Sequence, residues 1–126
     1  MVIWNVPNEL QIFVNADSSS SSIIKPKKFD STTIIRAKRL DSIGLPQRIK
    51  LLKVEREGAE PEILLGSESI LDRVEYISVD SGPERGTKED STSASVLNYL
   101  ISRNFDAISL NRGHRETKLF KNRRVA

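Results

Sequence analysis

Acidic side chains are concentrated where one short apolar segment of the chain ends. Glu55 and Glu57 follow the apolar run 49–54, and Glu60 lies three residues further on. Alternate side chains of an extended chain project to the same side, so we expect Glu55 and Glu57 to lie close together. Such a pair can hold a divalent cation or supply a general base. Glu57 and Glu60 could instead complement the positive end of a following helix, and spacing alone favours this structural interpretation.

A second apolar run, residues 74–79, ends at Asp80 in a stretch with strong turn chemistry. Between the two runs, residues 60–71 carry apolar side chains at helical spacing, with a break expected at Gly66. Strand, helix and strand in this order predict two parallel strands whose carboxyl ends meet at one edge of a sheet. Ligands of open α/β sheets bind at that edge, so Glu55, Glu57 and Asp80 lie where chemistry is expected. Of these, Glu55 and Asp80 are the candidate catalytic residues.

Two other positions have polar side chains that could take part in binding. Glu84 and Arg85, in the loop after Asp80, could contact a substrate, with Arg85 pairing a carboxylate or phosphate. An intramolecular ion pair is the alternative for Arg85, and the sequence does not separate the two. His114 is the single histidine and is interpreted as a solvated turn residue, so no metal site is predicted.

The remaining elements must position these residues. Two β-rich runs, 9–14 and 32–37, predict a hairpin around a serine-rich polar loop, and residues 2–4 resemble the tail of a strand. After Asp80 we predict a helix from Ser93, with Thr92 or Ser93 as N-cap, and then strands at 105–110 and 117–120. The predicted organisation is one α/β domain over 1–126, with strand and hairpin at 1–38 and the α/β core at 39–126.

Composition excludes several classes of protein. A formal net charge of +3 is too small to indicate nucleic-acid or membrane binding. The absence of cysteine excludes disulfides and a cysteine nucleophile, and no apolar run is long enough for a membrane span. We therefore expect a cytoplasmic protein. Basic residues near the C-terminus could hold phosphate but lack a recognised motif, and we interpret them as a solvated terminus: Arg112, Arg115, Lys118, Lys121, Arg123 and Arg124.

One block of the chain carries a family resemblance. It reads Lys53-Val54-Glu55-Arg56-Glu57-Gly58-Ala59-Glu60, with Ile63-Leu64 and Gly66 following, and it resembles the K-I-D-x-E-G-x-E…V-L-x-G signature of FkbM methyltransferases. Residues 40–43 and the serine-rich 19–23 resemble segments that precede this signature in the family. Later segments match the family in order and spacing: Val79-Asp80, Glu84-Arg85-Gly86, Thr92, Leu100, Phe105 and residues 119–122.

The resemblance implies an incomplete Rossmann-like methyltransferase fold, with a mostly parallel sheet and an antiparallel C-terminal hairpin. It implies methyl transfer from S-adenosylmethionine to an oxygen of a small-molecule or sugar-containing acceptor. Glu55 or Asp80 would then orient or deprotonate the acceptor hydroxyl. Trp4, which could stack on adenine or pack in the core, and Glu57, which would shape the strand-to-helix turn, are the candidate cofactor-binding residues.

The sequence departs from the family pattern in three ways. Glu55 stands where the family usually has Asp, Arg56 replaces an apolar residue, and no glycine-rich cofactor turn is present. By the resemblance, the chain begins at the end of the family's third strand, which leaves the strand at 49–54 as an open edge. We expect a second copy, a further N-terminal segment or the 9–37 hairpin to cover that edge. The alternative function is a non-catalytic α/β remnant that binds a partner strand.

Overall fold

The computed structural model describes residues 2–16, 21–55, 58–110 and 116–125, without the side chains of Glu84 and Glu116. Two α-helices lie in these ranges, α1 (Glu60–Leu65) and α2 (Ser93–Ser102), together with two 3-10 turns at Leu40–Ser42 and Glu68–Arg73. The strands of the same ranges are β1 (Val2–Ile3), β2 (Glu9–Val14), β3 (Ser31–Lys38), β4 (Ile49–Glu55), β5 (Val74–Ser81), β6 (Pro83–Arg85), β7 (Asp90–Ser91), β8 (Phe105–Leu110) and β9 (Glu116–Asn122).

The main sheet has the strand order β4-β5-β9-β8. β4 and β5 are parallel, which confirms the predicted strand–helix–strand unit, whereas β9 is antiparallel to both β5 and β8. Only one of the three pairings is therefore parallel, and the prediction of a mostly parallel sheet is wrong. The physical reason is the C-terminal pair: β8 and β9 run in opposite directions, and β9 inserts beside β5 so that both of its neighbours are antiparallel.

A second sheet has the order β1-β3-β2 and contains the predicted hairpin, with Glu9 opposite Arg36 and Val14 opposite Ser31. β1 joins it in parallel with β3. This sheet does not extend the main one. Among the strands that the structure describes, β4 pairs only with β5 and forms one edge of the main sheet. The expected covering of this edge by the hairpin is not observed.

The hydrophobic core lies between one face of the main sheet and the two helices. Side chains at alternate positions of the strands, including Val54, Ile77, Val79 and Phe120, are buried there against the helices. The same pattern leaves Leu51 of β4 on the other face of the sheet, where it is exposed. None of the helices in the described ranges has the length and apolar composition needed to span a bilayer.

The crossover from β4 to β5 changes helix type at Gly66. α1 ends at Leu65, and a 3-10 turn replaces the second half of the helix that the sequence predicted over 60–71. A Cβ atom at Gly66 would lie 2.2 Å from the backbone oxygen of Trp4. The break at Gly66 is confirmed, and the close approach of the N-terminal segment leaves no room for a side chain at this position.

An ion pair joins the same two regions. Arg39 contacts Asp41 at 2.8 Å and also donates to the carbonyl oxygens of Asn5 and Leu65, while the backbone N–H of Ser69 donates to Asp41. The Asp41 side chain is only 7% exposed. The hydrogen bond from Arg39, assisted by that of Ser69, lowers the pKa of Asp41 from 3.8 to about 2.

We expect Gly66→Ala to destabilise the protein by about 2–3 kcal/mol, because the new methyl group would overlap the Trp4 carbonyl. Urea denaturation measures the change. Gly44→Ala is the matched control, since a Cβ at Gly44 meets nothing within 4 Å. Equal stability of the two variants would show that the contact at Gly66 is not needed.

We expect Asp41 to make folding stability pH-dependent in the acid range. Its folded pKa lies below its ordinary value, so its contribution is complete above about pH 5 and is lost as the pH falls through about 4 to 2. Because Arg39 is partly exposed, we expect about 1–2 kcal/mol. Denaturation at pH 6 and pH 2.5 should show a smaller acid loss for Asp41→Asn than for wild type. The same loss in both, or an equal effect of exposed Asp72→Asn, would contradict this assignment.

Candidate active site

Two carboxylates meet at the carboxyl end of the parallel strand pair. Glu55 and Asp80 are directly paired residues of β4 and β5, so their side chains project from the same face of the sheet. Both lie on the face opposite the buried Val54 and Val79. The structure therefore brings the two predicted catalytic residues together.

Lys53 is a third charged residue on this face of the sheet. Its ammonium lies 2.7 Å from the Glu55 carboxylate, which confirms that Lys53 and Glu55 share one side of the strand. Their side chains are 63% and 44% exposed. An ion pair this exposed contributes little to stability, so breaking it costs little. Glu55 can thus exchange its contact with Lys53 for a hydroxyl group of a ligand. Glu57, predicted to lie beside it, falls outside the described residues.

A buried polar cluster lies on the helix side of the same edge. Lys118 of β9 is 8% exposed, and its Nζ donates to the hydroxyl oxygens of Ser81 at 2.9 Å and Ser93 at 3.1 Å. Ser81 is the last residue of β5, and Ser93 is the first of α2. These contacts tie the end of β5 to the start of α2, and they fix the backbone directly next to Asp80.

Lys118 was missed by the sequence interpretation, which placed it in a solvated terminus. That interpretation is wrong for this residue, because β9 pairs with β5 and puts Lys118 opposite the buried Val79. One signal in the sequence points to it: Lys118 and Phe120 alternate in a β-rich run and must share a face.

The turn from β4 into α1 is built around a buried carboxylate. Glu60 is 1% exposed and accepts hydrogen bonds from the backbone N–H of Gly58 at 3.3 Å and the hydroxyl of Thr92 at 3.1 Å. Thr92 occupies the predicted N-cap position of α2, but its hydroxyl bonds Glu60 and makes no capping bond. Glu60 also lies in the first turn of α1, where a negative charge is favourable. Its role is to join the two helix starts.

Arg85 also stabilises this turn. Its guanidinium donates to the carbonyl oxygen of Gly58 at 2.7 Å and forms a two-pronged ion pair with Glu62. The hydrogen bond with Glu62 raises the pKa of Arg85. Gly58 has a φ of 91°, and a Cβ there would lie 2.6 Å from the Cα of Arg85, so only glycine fits.

These contacts realise the intramolecular alternative for Arg85; its contact with an acceptor stays a prediction. The residue lies in β6, which forms a short hairpin with β7, whereas the sequence predicted a turn that begins at Asp80. β5 continues through Ser81 because β9 pairs with it along that length.

Trp4 is not brought to the two carboxylates. It packs, partly buried, against the hydrophobic core, and its backbone oxygen lies beside Gly66 at the far end of α1. The alternative of core packing is therefore observed, and stacking of Trp4 on adenine stays a prediction. Within the described ranges, no group of three or more acidic or histidine side chains is arranged to hold a metal ion.

Comparison with known proteins gives one finding. A family model described as the methyltransferase FkbM domain matches residues 3–107. This range includes the strands that carry Glu55 and Asp80, the turn at Gly58 and both helices. No curated protein and no solved structure matches the chain. The match covers most of the 126 residues and confirms the resemblance of the 53–66 block. The chain belongs to the FkbM family of methyltransferases.

Proposed function

We propose that the chain takes part in S-adenosylmethionine-dependent methylation of a hydroxyl group on a small-molecule or sugar-containing acceptor. The observation that carries the proposal is the direct pairing of Glu55 with Asp80 at the carboxyl end of β4 and β5, in a chain of this methyltransferase family. Chemistry in open α/β sheets is located at that edge.

The described residues support the acceptor half of the reaction better than the cofactor half. Of the two residues predicted to hold the cofactor, Trp4 packs against the core beside Gly66, and Glu57 lies outside the described residues. The contacts of Trp4 and Glu57 with the cofactor therefore stay predictions. S-adenosylmethionine, when bound, supplies an electrophilic methyl group.

The carboxylates act on the acceptor. A hydroxyl group between Glu55 and Asp80 would donate its proton in a hydrogen bond to one carboxylate, which aligns the oxygen lone pair for attack. The same carboxylate would take the proton as the new C–O bond forms and the bond between the methyl group and the sulfonium sulfur breaks. Positioning contributes most to such a displacement. Asp80 is the better fixed of the two, because the Lys118 cluster holds the adjacent Ser81.

The acceptor-contacting residues and the cellular location are proposed from the sequence predictions. Arg85 and Glu84, on β6 next to the same edge, would contact the acceptor beyond the reacting hydroxyl, with Arg85 keeping its support of Gly58. A cytoplasmic location is proposed from the cysteine-free sequence, which fits a reducing compartment.

We expect the folded 126-residue protein to bind S-adenosylmethionine in an isothermal titration and to transfer a labelled methyl group to a member of a panel of hydroxylated acceptors. Glu55→Gln should bind the cofactor as wild type does but lose transfer on the order of 10²–10⁴-fold, because the amide cannot accept the proton. Glu9→Gln, an exposed position in β2, is the matched control.

Three results would contradict the proposal in different ways. A protein that is folded by circular dichroism but binds no S-adenosylmethionine lacks the cofactor site. Unchanged turnover of Glu55→Gln would remove the role of Glu55. Loss of transfer in Glu9→Gln as well would show that the measurement reports a general effect.

A second candidate function, a non-catalytic module that pairs through β4, is favoured by one observation. In the described part of the chain β4 has a partner on one side only, and Leu51 on it is 53% exposed. An open strand edge can accept another strand. The occupant that we propose for this edge is the β4 strand of a second copy.

For this second function we expect a dimer in sedimentation velocity, weakened at least tenfold by Leu51→Lys. In an antiparallel pair of β4 strands the added charges would lie close together and repel. Ile34→Lys, which introduces the same charge at an exposed position of β3, should leave the dimer unchanged. A monomer at all concentrations would refute pairing of two copies through β4.

A further inference from the structure

A cavity of about 740 Å³ lies at the amino ends of β4 and β5, opposite the edge with Glu55 and Asp80. Residues 47–50, residues 72, 73 and 75, and residues 124 and 125 after β9 line it. We call it the amino-edge cavity. Its volume is within the range of small-molecule sites.

The lining of the amino-edge cavity carries more positive than negative charge. Its two carboxylates, Asp72 and Glu75, face four cationic side chains: Arg48, Lys50, Arg73 and Arg124. The excess of positive charge attracts an anion only if carboxylates do not already neutralise the cations.

Glu75 is fully engaged by lysines. Its carboxylate lies 2.9 Å from Nζ of Lys50 and 3.9 Å from Nζ of Lys121. The hydrogen bond from Lys50 lowers the pKa of Glu75, so this carboxylate stays ionised at neutral pH. Its ion-pair contacts are with the two lysines, and Arg48 interacts with it only at longer range.

Carboxylates only partly neutralise the arginine side chains of the cavity. Nη1 of Arg73 donates to the carbonyl oxygens of Leu45 and Pro46, which are neutral acceptors. Within the described ranges, neither Arg48 nor Arg73 has a carboxylate at ion-pair distance. Arg124 lies 3.9 Å from Asp72, and both side chains are largely exposed, at 64% and 79%. Such a pair is weak and readily replaced by a ligand.

We propose that the amino-edge cavity binds the phosphate group of a small phosphorylated ligand, with Arg48 and Arg124 as the contacting residues. The guanidinium group donates in a planar fork that matches phosphate oxygens and holds them in two parallel hydrogen bonds. A small ligand fits better than a nucleic acid, because the cations line a concave site and no recognised nucleic-acid motif surrounds them in the sequence. The cavity is independent of methyl transfer, since it lies at the other end of the strands.

Isothermal titration with inorganic pyrophosphate tests the proposal on the full chain. We expect one site per chain in wild type and at least tenfold weaker binding in the double variant Arg48→Ala/Arg124→Ala. Arg36→Ala/Lys38→Ala is the matched control, because it removes the same charge from exposed positions of β3. The control should bind pyrophosphate as wild type does.

The possible results separate the proposal from its rivals. Failure of wild type to bind pyrophosphate, or equal weakening in both double variants, would overturn it. Tighter binding of a single-stranded oligonucleotide than of pyrophosphate, with a steep salt dependence, would also overturn it in favour of a nucleic-acid surface. The pyrophosphate titration does not depend on methyl transfer, so the absence of binding would not contradict the proposed methyltransferase activity.

Discussion

The parallel pairing of β4 with β5 is the constraint on which the rest of the structure depends. Parallel neighbours need a crossover, and here α1 and the following 3-10 turn provide it on one face of the sheet. That crossover closes the hydrophobic core over Val54 and Ile77. The same register sets Glu55 opposite Asp80, so the interaction that builds the core also builds the acidic edge.

The edge is divided between buried groups that hold it and exposed groups that can react. Glu60 and Lys118 are buried charged side chains, and each has hydrogen-bond partners that offset the cost of removing it from water. They join β5, α1 and α2 at one place. Glu55, in contrast, is exposed and contacts Lys53 on the surface. A rigid support thus lies next to the exposed side chain of Glu55.

Local sequence patterns were sufficient to predict most of the elements but not the strand order of the main sheet. Alternation and helical spacing located the hairpin, the two parallel strands, the break at Gly66 and α2. The pattern could not show that β9 lies between β5 and β8, because strand order depends on long-range packing. The buried position of Lys118 was missed for the same reason. The contact of Gly66 with the Trp4 carbonyl likewise joins residues far apart in sequence.

The two carboxylates of the edge differ in how firmly the fold holds them. Asp80 lies in β5, with β4 paired on one side and β9 on the other, whereas Glu55 is the last residue of a strand with one described neighbour. An extra methylene at Glu55 therefore displaces a side chain that is exposed and can adjust. The same lengthening at Asp80 would act on a backbone fixed from both sides. Glu55, where the resembled signature has Asp, is thus the residue of the pair whose side chain can better accommodate the extra methylene.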